Sequence, residues 1–303
     1  MKIRLTVIII LLFCLPNKGN TQFLKQSETF NKKRIIPSIT GIGTIWGGGM
    51  IGLYQLWYKE TNSTNFHSFN DCSNWLQMDK AGHLYTTYQI GNYWTNLLKW
   101  GGMNNRIATI TGTAIGFGFQ TSLEIFDGFS DGWGFSWCDM GANFLGGAIF
   151  SSQELIWNEQ KIKLKFSYHP TEFAKYRPSV LGNTFSERLL KDYNGQTYWI
   201  SFNPFVLSGN GTKFPKWICL SLGYSVHEKL YGDNEYFSTE INNTTISFKS
   251  KREFLLSLDI DLSKVPVKKD WIRSLLNQFN CLKIPFPALI LRGNQLTGSL
   301  LYF

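Results

Sequence analysis

The chain has 303 residues, with 30 Lys and Arg against 21 Asp and Glu for a net charge of +9, and aromatic residues make up 16% of it. Charged residues account for only 17%, against about a quarter in an ordinary soluble domain, yet the mean hydropathy of −0.13 excludes a polytopic carrier from end to end. No basic stripe or nucleic-acid motif is present, so the cationic excess points to anionic lipid and not to nucleic acid.

Lys2 and Arg4 precede an apolar run from Leu5 to Leu15, which Pro16 breaks ahead of polar residues 17–22. That charged, apolar, polar order is a secretory signal over residues 1–21. Cys14 raises a lipoprotein signal, but bulky Phe13 stands where such signals carry a small residue. An uncleaved anchor is the other alternative, although the run is short for a span. Without Cys14 four cysteines remain, Cys72, Cys138, Cys219 and Cys281, in no metal-ligand spacing. Buried structural thiols are the favoured reading. A Cys72–Cys138 bridge is the alternative, because both flank the polar motif described below.

A polar, basic linker covers 22–34. From Ile35 to Tyr58 no charge occurs and six glycines intervene, a length that can span a bilayer with a surface suited to close helix approach. Residues 60–75 are polar and form a loop. Helices follow from near Asp79 to Lys99, from Arg106 to Phe126 with Gly112, Gly116 and Gly118 on a small face, and from Ser136 or Trp137 to Glu154. A Gly-rich turn fills 127–135, and Ser136 is placed as an N-cap with Asp139 in the first turn.

After residue 160 the texture changes. Residues 161–166 alternate with period two, and similar runs recur at 198–202, 217–224, 245–248, 254–260 and 298–303, separated by turns such as Ser208–Gly211. Residues 270–279 form a short amphipathic helix. Asp259 and Asp261 share one side of a strand, where a cation site or, more commonly, the wet face of a sheet is expected. The fold class is therefore α+β: a membrane-associated helical domain of about four helices over 35–157, then a β-rich region over 158–303. Phe303 at the end of an alternating run resembles the assembly signal of outer-membrane β-proteins, with few strands for a barrel.

The polar residues of the helical half are its candidate site. Asp79 and His83 are four apart, as are Asp139 and Asn143, so each pair projects from one helix face. Glu124 ends the helix between them, with Gln120 one turn earlier. Start, end and start of successive antiparallel helices meet at one end of a bundle, which would gather all these groups. Buried charges are costly unless paired or used. In a catalytic reading His83 is the general base or nucleophile, oriented by Asp79 or Glu124, with Asp139 and Asn143 holding a polar head group and Lys80 and Ser136 as further ligand-binding residues. In a structural reading Asp79 caps its helix, His83 donates to Glu124 or Asp139, and Asn143 satisfies buried backbone. In a third, His83, Glu124 and Asp139 ligate a divalent metal, although a single imidazole disfavours zinc. Proton or ion movement completes the set. The segments around His169-Pro170, Tyr176–Pro178 and Glu187-Arg188 read as solvated loop, and Asp192–Gly195 as a turn.

Asp79-Lys80-Ala-Gly-His83, the lone Glu124, and Ser136-Trp-Cys-Asp139-Met-Gly-Ala-Asn143-Phe-Leu-Gly146 resemble the VanZ-like superfamily. Phe126-Asp127-Gly128 and Trp133–Trp137 bring the chain closer to the YfiM-like branch, predicted periplasmic lipoproteins. The resemblance covers roughly residues 76–150. It implies a membrane-associated helical core, an exported location at the periplasmic side of the inner membrane or at the outer membrane, and a role near lipid or cell-wall metabolism. The partner it implies is a membrane lipid or lipid-linked cell-wall molecule. Asp127 and Asp131 stand in the loop where many VanZ-like proteins carry Arg, so a head-group-binding Arg does not carry over. A non-enzymatic envelope scaffold is the alternative function.

Overall fold

A computed structural model describes residues 25–55, 65–207, 214–241 and 244–303. The leader with Cys14 and the turn at 208–211 lie outside the described residues. Helix α1 (Lys32–Leu53) starts where the Asn31 side chain accepts the Lys33 N–H. It is the one described helix long and apolar enough to cross a membrane, and Ile36, Ile39, Ile45 and Ile51 are exposed along it. Helices α2 (Met78–Trp100), α3 (Asn105–Gly128) and α4 (Trp137–Trp157) form the bundle that carries the polar residues.

Small residues set how closely these helices approach. A Cβ on Gly112 of α3 would lie 2.3 Å from Thr95 Oγ1 of α2, and one on Gly146 of α4 would lie 2.2 Å from the Leu84 carbonyl of α2. Both neighbours therefore meet α2 at backbone distance. Gly118, expected on the same small face, meets Trp46 of α1 instead. Tyr88, Phe150 and Leu164 are buried together and join the bundle to the first strand.

Eight α-helices occur among the described residues, not about four. The others lie among the strands: α5 (Pro178–Leu181), α6 (Phe185–Lys191), α7 (Pro204–Leu207) and α8 (Asp270–Phe279), the last being the amphipathic helix expected there. The first three are too short for a helical period to be legible. They are set by Pro in the opening turn of α5 and α7 and by a capping box, in which Thr184 and Glu187 bond each other's backbone, in α6.

Strands β1 (Ile162–Tyr168), β2 (Gln196–Phe202), β3 (Ile218–His227), β6 (Lys251–Ile260), β7 (Phe286–Arg292) and β8 (Gln295–Tyr302) make one antiparallel sheet in that spatial order. A hairpin of β4 (Tyr236–Ile241) and β5 (Thr244–Lys249) stands apart. Neither β4 nor β7 was expected. Pro287 inside β7 breaks the strand pattern in sequence and is accommodated at a register shift between Phe286 and Ala288.

The sheet curls around a polar interior. Lys165 of β1 reaches across it to Asp259 of β6 at 2.8 Å, both fully buried, and Lys163 meets Asp261 at 2.7 Å. Asp259 and Asp261 therefore face inward, not toward water as the pattern suggested. Ser201, Ser221 and Ser257 fill the adjoining row, each directly opposite the next, beside an apolar cluster of Trp199, Leu255, Ile290 and Tyr302.

Cys72 and Cys138 form a disulfide that ties the segment before α2 to the first turn of α4, while Cys219 and Cys281 are free thiols. Between Cys72 and α2, three successive residues, Trp75, Leu76 and Gln77, take left-handed φ values of 52°, 52° and 64°. Such geometry costs about 1–2 kcal/mol per residue outside glycine. Contacts from the sheet side hold it: Trp75 N–H donates to the Gly232 carbonyl at 2.6 Å, and Arg252 donates to Gln77 Oε1 at 2.5 Å.

Candidate functional site

The left-handed turn and the disulfide deliver Asp71 and the start of α2 to the mouth of α4. Lys80, in the first turn of α2, is the hub. Its ammonium lies 2.6 Å from Asp71 Oδ2, 3.2 Å from Asp79 Oδ2 and 3.0 Å from Asp139 Oδ1. Ser136 caps α4 by accepting the Asp139 N–H at 3.1 Å, as expected from its position. Its hydroxyl donates to Asp71, and its backbone N–H donates to Glu124 Oε2 at 3.1 Å. Asp79 is not a cap: Gln77 holds that position without a side-chain bond. The Asp79 carboxylate instead accepts from Tyr193 at 2.9 Å.

One turn deeper, His83 links the three helices. Nδ1 lies 3.1 Å from Asn143 Oδ1, 3.2 Å from Gln120 Nε2 and 3.5 Å from Glu124 Oε1, while Nε2 faces Asp79 Oδ1 at 3.7 Å. Thr87 donates to Asn143 Oδ1 at 3.2 Å. Glu124 and Asn143 are buried, and Asp79 is the more open flank, with a quarter of its side chain exposed. All seven residues singled out from sequence, Asp79, Lys80, His83, Glu124, Ser136, Asp139 and Asn143, thus belong to one connected cluster.

Asp71, Thr87 and Tyr193 complete that cluster and were not anticipated. Asp71 carried a usable signal, as the acid beside a cysteine that flanks the motif. Tyr193 carried none, because it reaches Asp79 from 114 residues away through the segment read as a turn.

Four carboxyls, of Asp71, Asp79, Glu124 and Asp139, share two cationic side chains. The imbalance has consequences for protons. Burial pushes Glu124 up to about 8 against the pull of His83, with Asp139 and Asp127 adding to the rise. Burial and the neighbouring Asp79 raise Asp139 to about 7, against His83 and Lys80. Asp79 is held below its ordinary value: burial opposes this, but His83 and Lys80 outweigh it. His83 is raised despite its burial, because Asp79, Asp139 and Glu124 surround it. Nδ1 meets both Asn143 Oδ1 and Gln120 Nε2, and Nε2 turns toward Asp79.

Two buried polar atoms here take no hydrogen bond among the described residues, Glu124 Oε1 and Asn143 Nδ2, while Asp139 Oδ1 is held by the Lys80 ammonium at 3.0 Å. For metal ligation, one donor atom each from Asp79, His83 and Asp139 falls within 4.8 Å of the others, a set that has Asp79 where sequence suggested Glu124. Lys80 already places a fixed positive charge against both carboxylates, so a divalent ion would have to share or displace it.

A cluster of this kind, charge-paired, walled by apolar helices and stapled by a disulfide, is that of a protein folded in an oxidising envelope compartment. Residues 68–153 match the model of a family described as predicted periplasmic lipoprotein (DUF2279), and every member of the cluster except Tyr193 lies within the match. The chain is accordingly an exported, cell-envelope protein. No curated protein and no solved structure matches it. The wider VanZ-like likeness rests on the three motifs alone.

Proposed function

We propose that this cluster is a binding or reaction site for an amphiphilic envelope molecule, a lipid or lipid-linked cell-wall precursor, in a membrane-associated protein. The observation that carries the reading is the pair Glu124 Oε1 and Asn143 Nδ2, a buried acceptor and a buried donor beside one imidazole with no hydrogen bond among the described residues. A purely structural network would satisfy both, because each unmade bond costs about 1–3 kcal/mol. Here one acceptor and one donor are left open to a ligand's polar atoms.

In this reading His83 is the acid/base group. It sits between a sealed carboxyl, Glu124, whose proton is retained near neutrality, and the open flank at Asp79 and Tyr193, where a head group would arrive. Glu124 sets the proton affinity of the imidazole, Asp79 orients it, and Lys80, Ser136, Asp139 and Asn143 position the ligand. A divalent ion at Asp79, His83 and Asp139 is a second reading, favoured only by the proximity of their donor atoms.

The test is lipid and muropeptide profiling of a deletion strain complemented with wild type or with His83→Ala. The same chemical change in the deletion and in a folded, normally abundant His83→Ala strain supports the site. A deletion phenotype fully rescued by His83→Ala would assign the function elsewhere, to a scaffold.

A further inference from the structure

The second half of the molecule is built with its polarity inverted. One face of the sheet carries the buried Lys165–Asp259 pair and the row Ser201, Ser221 and Ser257. The other carries leucine. Ile200, Leu222, Leu256 and Leu289 stand directly opposite one another on β2, β3, β6 and β7, and all four are 40–50% exposed. A second row runs through Phe254, Leu291 and Leu296, likewise exposed, and Leu258 begins a third. Lys165 reaching Asp259, and Trp199 packing on Tyr302, show that the sheet bends around its polar side, so the leucine face is the convex one. The helical half covers this face at its β1–β2 end, where Phe166 and Tyr198 meet Tyr85, and at Tyr224 of β3, whose hydroxyl donates to the Leu76 carbonyl.

Helix α8 repeats the inversion independently. Its polar residues Ser274, Asn277 and Gln278 line a hydrophilic cavity of about 320 Å³, while Trp271, Leu275 and Phe279 point outward and are exposed. Lys268, Lys269 and Arg273 flank that apolar stripe and are exposed too. An apolar stripe bordered by cations matches the acyl and phosphate levels of an anionic leaflet.

We propose that the convex face of the sheet and the outer side of α8 are seated in one leaflet of a phospholipid membrane. The occupant of the leucine face is acyl chain, which also fits the apolar groove of about 490 Å³ lined by Leu220, Leu256, Leu258, Leu289 and Leu300. Seated by its convex face, with the polar side held out of the hydrocarbon, the sheet enters one leaflet and does not cross. Insertion by a convex face leaves the edge strand β8 at headgroup level, where water satisfies its outer backbone groups. This placement does not depend on what the polar cluster does.

The full chain, with Cys281→Ser as background, is reconstituted in vesicles of phosphatidylethanolamine and phosphatidylglycerol at 7:3. Nitroxide labels are attached singly through Leu256→Cys, Leu289→Cys and Leu275→Cys, with Glu172→Cys as the aqueous reference; circular dichroism confirms folding of each. Collision rates with oxygen and with a water-soluble nickel chelate report the medium around each label. The expected oxygen-to-nickel ratio at all three sites is at least tenfold above that at Glu172. A ratio equal to the reference would overturn the proposal. So would poor access by both reagents, which would mean that protein, such as a second copy of the chain, covers the face.

Discussion

His83 Nδ1 lies 3.5 Å from Glu124 Oε1, an oxygen that is buried and takes no hydrogen bond. At that separation the charge on each group sets the proton affinity of the other, so both respond to what else enters the site. The cluster thereby holds its charge imbalance in a form that a ligand can change.

The same relationship makes stability depend on pH. Glu124 is raised from 4.5 to about 8 in the folded chain, so between those values the native state keeps a proton that the unfolded chain has lost. Its contribution is fully present below about 4.5 and is lost as pH rises to about 8. His83, raised from 6.5, adds a loss of the same sign above that value. The slope per proton is at most about 1.4 kcal/mol per pH unit. Glu124→Gln removes the first share, so urea unfolding at pH 5, 6.5 and 8 shows a flatter profile than wild type. An unchanged slope contradicts the assignment.

Lys80 is the sole ammonium among three carboxylates. Lys80→Ala leaves Asp71, Asp79 and Asp139 facing His83 alone and costs about 3–5 kcal/mol at neutral pH. The cost shrinks toward pH 5 as Asp139, raised to about 7, takes up its proton. Denaturant unfolding at the two pH values measures the difference.

The Cys72–Cys138 bridge closes a loop with a sequence separation of 66. Loop-closure entropy puts its removal at about 4 kcal/mol. Cys72→Ser with Cys138→Ser is expected to lower the thermal midpoint and to loosen Asp71, seen as faster amide exchange over 71–80.

Gly146 and Gly141 lie on the same helix but meet different surroundings. A Cβ on Gly146 would fall 2.2 Å from the Leu84 carbonyl, whereas one on Gly141 meets nothing within 4 Å. Gly146→Ala therefore forces α2 and α4 apart, at a cost of about 1–3 kcal/mol. Gly141→Ala gains up to about 1 kcal/mol of helix propensity. Thermal unfolding of the pair separates the two effects on one scaffold.

The bundle and its cluster were legible because they rest on local periodicity. The four-residue spacings of Asp79 with His83 and Asp139 with Asn143 fix a helix face, and successive short connections fix which ends meet. Tyr193 and Asp71 escaped that logic, since a contact made over 114 residues or through a left-handed turn has no local period. The strand alternation at 161–166 was also legible, but not which side faced in. The usual assumption that charges face water put Asp259 and Asp261 on a wet surface, while the chain pairs them with Lys165 and Lys163 inside. Pro287 hid β7 because a register shift, not a regular ladder, accommodates it.

The most direct measurement of the central claim is mass spectrometry of amphiphiles that co-purify with the full-length protein, gently extracted from its own membranes. Wild type is compared with His83→Ala and Asn143→Ala, each shown by circular dichroism to be folded. The account predicts one amphiphile class enriched on wild type and reduced at least tenfold on both variants. The same lipids in the same amounts on all three proteins would contradict it.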